Sequence, residues 1–135
     1  MAANTAPIFT KNANIGWGDI TTANTAKDGT GTVVLIFTAG ADGSFLRKVR
    51  AKAKGTNTAT VLRLWGNNGS TNATATNNYF IGEITLAATT LSEVAATAEN
   101  EYIIDEPIPA GHRVYATIGT TVAAGWSLTG WGGDY

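Results

Sequence analysis

Few residues in this chain have side chains that could carry out chemistry, and the sequence gives each an ordinary structural explanation. His112 is the single histidine, and it follows Gly111 at the start of a strand-like run. A lone histidine beside a turn is typical of a solvent-facing or hydrogen-bonded side chain rather than of a general base. Because the chain contains no cysteine and no second histidine, it offers no zinc-ligand set.

Carboxylates and glycine-rich runs are the other possible reactive elements. Asp105 and Glu106 are adjacent and precede Pro107, where they could bind a cation or serve as an acid, but neighbouring carboxylates at a strand end usually face water. The glycine runs AGADGS and GWGGDY lack the strand, loop and helix with a lysine that form a phosphate cradle, so they indicate turns. The sequence therefore predicts no catalytic residues, no metal site, no cofactor and a protein that is not an enzyme.

The aromatic residues could bind a ligand without any reaction. Trp17, Trp65, Trp126 and Trp131 could form a flat platform on which sugar rings stack. Three of these tryptophans lie in strand-like contexts, where a position in the core or at an interface is expected. Trp131 and Tyr135, near the end of the sequence, are instead expected to be exposed or to be buried by another subunit.

The stretch with the clearest pattern reads FLRKVRAKAKGTNTATVLRLW and runs from Phe45 to Trp65. Its first half alternates apolar and basic residues, which is the period of a strand with one face on a core. The apolar face holds Phe45, Val49, Ala51 and Ala53, and the basic face holds Lys48, Arg50, Lys52 and Lys54. The second half is strand-like too, and the polar residues between the halves predict a hairpin turn at Gly55–Thr58.

Charge is divided between two parts of the chain. Residues 43–66 carry six positive charges and no acid, whereas residues 83–106 carry six carboxylates and no base. The basic face could be a solvated surface, a nucleic-acid surface or a docking surface for an acidic partner. It lacks the aromatic platforms or groove that nucleic acid requires, and the net charge of −1 gives no general attraction to nucleic acid or membrane. We favour docking, because it explains both charge patches, paired within one subunit or between neighbours.

The elements that must position these residues are β-strands. Thr is abundant and favours strands, Gly and Asn favour turns, and strand-like runs recur roughly every ten residues. The most apolar run, TVVLIFT at residues 32–38, predicts a strand covered on both faces. Only Leu91–Ala98 has helical spacing, and it could be a helical turn or a further strand. The sequence predicts an all-β, single-domain β-sandwich or jelly roll of about eight antiparallel strands.

Two segments are expected to reach outward from this domain. Residues 1–14 lack a clear period and predict an extended N-terminal arm, in which Ile8 and Phe9 could anchor on the core or on a partner, leaving 15–135 as the sandwich. The polar stretch Asn67–Asn78 predicts a loop that projects into solvent or onto a neighbour. No apolar run is long enough to span a membrane, and the first residues do not resemble a signal peptide, so we expect a soluble chain.

Several phrases of the sequence, in order, carry a family resemblance. They are IGWG, TANTAKDGTGTVVLIFTAGADGS, GTNTATVLRLWGNNGSTNATATNN, EITLAATTLSEVAA and IPAGHRVYATIGTTVAAGWSLTGWGGDY. From about Ile8 onward the chain resembles small virion-associated proteins of tailed bacteriophages and prophages. The resemblance implies a structural role, with the protein made in the bacterial host cytoplasm and located on the virion. A capsid decoration (cement) protein on the outside of the head is the role we favour.

That role carries expectations about partners. The protein would bind the major capsid protein, neighbouring copies of itself, or both, and would form a homo-oligomer. The residues expected to make these contacts are Lys48, Arg50, Lys52, Lys54, Ile8, Phe9, Trp131 and Tyr135. The alternative is a tail or fibre component whose β-sandwich binds a glycan or receptor through its tryptophans.

Overall fold

Eight β-strands form nearly all of the regular structure in the computed structural model, which describes residues 9–135. The strands are β1 (Asn12–Ile20), β2 (Val34–Thr38), β3 (Ser44–Ala53), β4 (Thr60–Asn67), β5 (Asn78–Leu86), β6 (Glu99–Ile108), β7 (Arg113–Ile118) and β8 (Trp126–Asp134). A single 3-10 turn at Ala75–Asn77 precedes β5. Within the described range the chain contains no α-helix.

The strands form two four-stranded antiparallel sheets. Sheet I has the order β1-β8-β3-β6, and sheet II has the order β2-β7-β4-β5. The pairs β1 with β8, β2 with β7, β3 with β6 and β4 with β5 are what results when one long antiparallel ribbon is rolled into two sheets, the arrangement of a jelly roll. The predicted all-β sandwich or jelly roll of about eight antiparallel strands is confirmed.

The core lies between the two sheets and contains one inward-facing set of side chains from each. Its largest fully buried side chains are Trp126, Phe37, Ile36, Leu46, Leu62, Leu64, Leu86, Ile118 and Leu128. Of the four tryptophans, Trp126 therefore belongs to the core. Trp65 is also buried, although it lies on the outer side of β4, where its Nε1 donates a hydrogen bond to Thr117 Oγ1 at 3.0 Å.

The predicted hairpin between β3 and β4 is wrong. β3 belongs to sheet I, where it pairs with β6 and β8, and β4 belongs to sheet II, so residues 54–59 cross from one sheet to the other. The alternating pattern identified both strands correctly but carried no information about their partners. The neighbour of the basic strand is instead the acidic strand β6, which sets Arg50 directly opposite Glu101.

A β-bulge in β3 changes which residues face the core. The register shifts between Leu46 and Lys48: Arg47 is an extra residue relative to β8, whereas relative to β6 the extra residue lies on β6. Leu46 and Val49 consequently both point inward. Phe45, which the simple alternation assigned to the core face, consequently lies half-buried on the outer side. On β6 the irregularity is accommodated by Asp105, whose φ of 49° is in the left-handed region that aspartate tolerates better than most residues.

Residues 87–98 form neither of the two structures that the sequence left open. The segment contains no helix or strand, and Leu91 and Val94 are exposed to solvent by 58% and 97%. The Ser92 hydroxyl accepts hydrogen bonds from the backbone N–H groups of Val94 and Ala95, which holds a local turn. The apolar side chains at the helical spacing therefore pack against no apolar surface, and no helix forms.

The polar loop before β5 and residues 12–14 of the predicted arm are tied to their own chain. The amide groups of Asn72 and Asn78 donate to backbone carbonyls of residues 28–31, so the loop before β5 packs on the connection between β1 and β2 rather than projecting freely. Residues 12–14 of the predicted arm pair with β8 as the start of β1. Residues 1–8, including Ile8, lie outside the described part of the chain.

Gly16 allows β1 to lie directly on β2, and replacing it should be costly. A Cβ atom at this position would be 2.0 Å from the backbone oxygen of Ile36, which cannot move without shifting β2. We expect Gly16→Ala to lower the free energy of unfolding by about 2–3 kcal/mol, the range for overpacking a tight site. Urea denaturation measures this, with Ala13→Val on the exposed side of β1 as control; equal stability of the two variants would contradict the close packing.

Candidate functional site

The outer face of sheet I brings four of the eight predicted contact residues together in rows, namely Lys48, Arg50, Lys52 and Trp131. Side chains alternate between the two faces of a strand, so residues opposite one another on four neighbouring strands line up across the outer face. Three rows result: Ile15–Trp131–Lys48–Ile103, Trp17–Thr129–Arg50–Glu101 and Asp19–Ser127–Lys52–Glu99. We call these twelve residues the outer face of sheet I.

This face exposes an unusual amount of apolar surface. Trp17 is 74% exposed, Ile103 55%, Ile15 40% and Trp131 37%. Two of the three rows contain at least one of these side chains, and Ile15 and Trp131 are cross-strand neighbours. Because a single exposed hydrophobic residue is ordinary but a contiguous group is not, this part of the sheet has the character of an interaction surface.

Cations are placed among the aromatic residues by contacts within the chain. The Arg50 guanidinium lies 5.7 Å from the centre of the Trp131 ring, within the range of a cation–π interaction. Glu101 Oε1 receives Lys48 Nζ at 2.9 Å and Arg50 Nε at 3.4 Å. The hydrogen bond from Lys48, with the positive charge beside it, holds the pKa of Glu101 below its ordinary value.

The predicted basic face exists, but its charges already have partners in the same subunit. Lys52 Nζ donates to the backbone carbonyl of Thr97, and Lys54 Nζ lies 2.6 Å from Asp19 Oδ2. Together with the Glu101 contacts, these bonds pair the basic strand with acids and carbonyls of its own chain. The sequence left pairing within one subunit or between neighbours open, and the structure shows it within the subunit. The exposed aromatic side chains are consequently the part of this face with the most surface left for contact with another molecule.

An open cavity of about 570 Å³ extends the outer face of sheet I beyond Trp131. Its lining combines apolar residues with two cations and includes Ile15, Phe45, Trp131, Lys11 and Arg47. Arg47 is available at this position because the bulge in β3 makes it an extra residue on the exposed side. The cavity therefore places Lys11 and Arg47 beside the aromatic part of the face, although the alternation pattern assigned neither cation to this face.

The remaining predicted contact residues have separate positions. Phe9 is 78% exposed at the start of the described range, next to Thr10 in the cavity wall. Tyr135 is half-buried, with its ring beside Gly43 and its backbone N–H bonded to the Gly43 carbonyl. The structure thus brings Trp131 and the basic residues together but does not place Tyr135 among them.

Ile15 and Ile103 are contact candidates that the sequence did not single out, and Trp17 was expected only in a sugar-stacking platform, in the core or at an interface. In the run Ile15-Gly16-Trp17-Gly18 the large residues face outward because the glycines face β2, where Gly18 also has no room for a side chain beside Val34. The sequence feature that could have identified Ile15 and Trp17 is therefore the alternation of large apolar residues with glycine. It indicates a strand whose apolar residues lie on the exposed side.

The residues with possible chemistry lie at the surface or make ordinary side-chain contacts. His112 Nδ1 lies 3.4 Å from the Tyr79 hydroxyl, and Asp105 and Glu106 are exposed. No group of three or more His, Cys, Asp or Glu residues in the range 9–135 is arranged to hold a metal ion. None of the helical structure found in that range is long and apolar enough to cross a membrane.

Asp134 fastens the end of sheet I and gives the fold a pH dependence. Its carboxylate accepts hydrogen bonds from Ser44 Oγ and, at 2.8 Å, from Asn14 Nδ2, and these bonds lower the pKa of Asp134 from its ordinary value of 3.8. A carboxylate with a lowered folded-state pKa stabilises the fold above the unfolded-state pKa, and this contribution disappears as the pH falls through the folded-state value.

We expect Asp134→Asn to lower the free energy of unfolding at pH 7 by about 1 kcal/mol, because two charge-assisted hydrogen bonds are weakened. The difference from the unsubstituted chain should narrow as the pH falls below about 4. Urea denaturation at a series of pH values measures both effects. Asp42→Asn, at the exposed turn before β3, is the control. A difference that stays constant down to pH 2 would contradict the role of the charge.

Comparisons of the chain with protein-family models, with curated proteins and with solved structures found no match. The resemblance to phage virion proteins therefore stays a prediction. The features that bear on function are the outer face of sheet I and the cavities of the fold.

Proposed function

We propose that this chain is a non-enzymatic structural protein of a phage virion, a capsid decoration (cement) protein that binds the outside of the head. The single observation that carries the proposal is the outer face of sheet I, where exposed aromatic and aliphatic residues are interleaved with ordered cations. A four-stranded sheet face of this kind offers a broad contact surface. Its partners would be the major capsid protein, neighbouring copies of this chain, or both.

The composition of this face suits an adhesive role. Trp and Arg are often found at the energetic centre of protein interfaces, and here Trp131 on β8 is the diagonal neighbour both of Trp17 on β1 and of Arg50 on β3. Fully burying one large apolar side chain stabilises a contact by about 1.5–3 kcal/mol. Each contact would thus be modest, but simultaneous contacts made by an oligomer on a repeating lattice would multiply its retention.

The internal ion pairs prepare the face for binding. Glu101 fixes Lys48 and Arg50 before any partner arrives, so less side-chain freedom is lost on docking than with unpaired lysines and arginines. The same pairing leaves little unbalanced charge at the centre of the face. Binding should therefore be driven mainly by apolar burial and should depend only moderately on salt.

Rebinding to particles tests this function. Heads are purified from a phage or prophage in which this gene is deleted, and the purified chain is added at increasing concentration. We expect saturable co-sedimentation with the heads and an increase in the temperature at which they release their DNA. Failure to co-sediment with heads, together with recovery of the chain on purified tails, would contradict a decoration role.

The alternative is a tail or fibre component that binds a glycan or receptor. Lectin domains are among the proteins with jelly-roll folds, and the cavity beside Trp131 combines an aromatic wall with Lys11 and Arg47. A glycan array probed with the chain and with Trp131→Ala distinguishes the two functions. Trp126, which sequence reasoning also offered for sugar stacking, is fully buried and is not part of either surface.

A further inference from the structure

A second cavity, on the opposite side of the molecule, has the features of a small-ligand site. It has a volume of about 300 Å³ and is lined by Lys27, Arg63, Trp65, Phe80 and Glu83. Arg63 is paired with Glu83 and Trp65 with Phe80 across β4 and β5, on the outer side of sheet II. Lys27 comes from the long connection between β1 and β2, which Asn72 and Asn78 hold against this end of the molecule.

Two aromatic side chains in contact with each other form the apolar part of this cavity. The ring centres of Trp65 and Phe80 are 4.8 Å apart, with the planes tilted by 40°. Trp65 is buried and fixed by its hydrogen bond to Thr117, whereas Phe80 is 52% exposed. A rigid aromatic pair with one exposed ring is suited to contact the flat, apolar C–H face of a ligand.

The polar part of the cavity carries one excess positive charge. Arg63 Nε donates to Glu83 Oε2 at 3.0 Å, which leaves Lys27 as an additional cation. The Arg63 side chain is only 16% exposed, and its Nη1 is buried without a hydrogen-bond partner among residues 9–135. That nitrogen is shielded beside Gly119, so a ligand in the cavity would bind the other guanidinium N–H groups of Arg63, which has five donors and bonds only Glu83 among residues 9–135.

We propose that this cavity binds an acidic saccharide, a sugar that carries a carboxylate. The apolar face of the sugar ring would contact Phe80, the carboxylate would bind Arg63 and Lys27, and a ring hydroxyl would donate to Glu83. The volume is at the lower end of ligand pockets and suits one sugar unit rather than a long chain. This site is separate from the outer face of sheet I and does not depend on the docking function.

Titration of the ¹⁵N-labelled full chain with sodium D-glucuronate and with sodium N-acetylneuraminate tests the proposal. We expect at least one of them to produce saturable shifts of the Trp65 indole N–H and of the Phe80 and Glu83 amide signals, with a Kd of about 1 mM. D-glucose, which lacks the carboxylate, and sodium acetate, which lacks the ring, should each bind at least about ten times more weakly. The other three indole signals should stay unchanged.

Variants of exposed residues keep this test independent of folding. Phe80→Ala removes the aromatic contact and Lys27→Gln removes a cation, and we expect each to weaken the binding of the acidic sugar about tenfold. Leu91→Ala, at an equally exposed apolar residue, is the control and should bind like the unsubstituted chain. The proposal is overturned if neither acidic sugar saturates, if glucose or acetate binds equally well, or if the two cavity variants behave like the control.

Discussion

Replacing Asn57 with alanine is expected to lower the free energy of unfolding by about 3–5 kcal/mol, because several buried hydrogen bonds are lost together. Asn57 is 3% exposed, and its side chain joins two connections between strands. Its Oδ1 accepts the backbone N–H groups of Ala124 and Gly125 at 3.0 and 2.8 Å, and its Nδ2 donates to the Gly125 carbonyl at 2.9 Å. Alanine would leave the N–H groups of Ala124 and Gly125 without partners, whereas the Gly125 carbonyl would keep the hydrogen bond that it accepts from the Lys54 N–H.

The position of Asn57 explains why one side chain should matter so much. Residues 54–59 carry the chain from sheet I to sheet II, and the backbone of Asn57 also pairs with Thr89 on a third connection. Asn57 thus holds three connections together at one end of the sandwich. Loss of this junction should open that end and reduce the cooperativity of unfolding.

Thermal and urea denaturation measure the effect. We expect the Tm of Asn57→Ala to fall by roughly 10–15 °C. Asn57→Asp retains an acceptor for the two N–H groups and should be less damaging. Asn12→Ala, at the exposed start of β1, is the matched control and should stay within about 0.5 kcal/mol of the unsubstituted chain. An Asn57→Ala variant as stable as the control would show that the loops hold together without this residue.

The double substitution Trp17→Ala and Trp131→Ala is expected to weaken binding to phage heads by at least about 100-fold per contact, or about 2.8 kcal/mol. Both rings lie on the outer face of sheet I, and both would be buried on docking. Their removal should leave the core intact, because neither is among the buried residues between the sheets. Co-sedimentation with heads that lack the protein measures the loss.

The control for this pair is Phe80→Ala with Leu91→Ala, two exposed apolar residues away from sheet I. This variant should bind heads like the unsubstituted chain. Equal binding by both double variants would show that the tryptophans do not lie in the interface. Charge reversal at Lys48 and Arg50 is a less direct test, because two new carboxylates would face Glu101 and would destabilise the sheet as well as any contact.

The class of fold could be predicted from the sequence because each strand of the jelly roll can be recognised from the pattern of its own residues. Alternation over β3, the apolar run of β2 and the turn-rich connections each indicate strands without reference to the rest of the chain. Strand pairing is not local. β3 pairs with β6 and β8, which are far along the chain, and the short connection to β4 gives no sign that it crosses between sheets.

The candidate site was predictable only in part for the same reason. The basic residues of β3 were found from their period of two, but their partner Glu101 comes from β6, and the sequence could not say whether such pairing would occur within one subunit. Trp17 was expected in the core or at an interface, and its exposure could not be predicted, since that exposure depends on the packing of Gly16 against β2. The cavity at Arg63 requires Lys27 from a distant loop, so no local pattern indicates it.

An image reconstruction of the virion that carries this chain tests the docking role most directly. We predict density for the eight-stranded jelly roll on the outer surface of the head, with Trp17 and Trp131 on sheet I turned toward the capsid shell or toward a neighbouring copy. Density with the outer face of sheet I turned to solvent, or density found only on the tail, would contradict it.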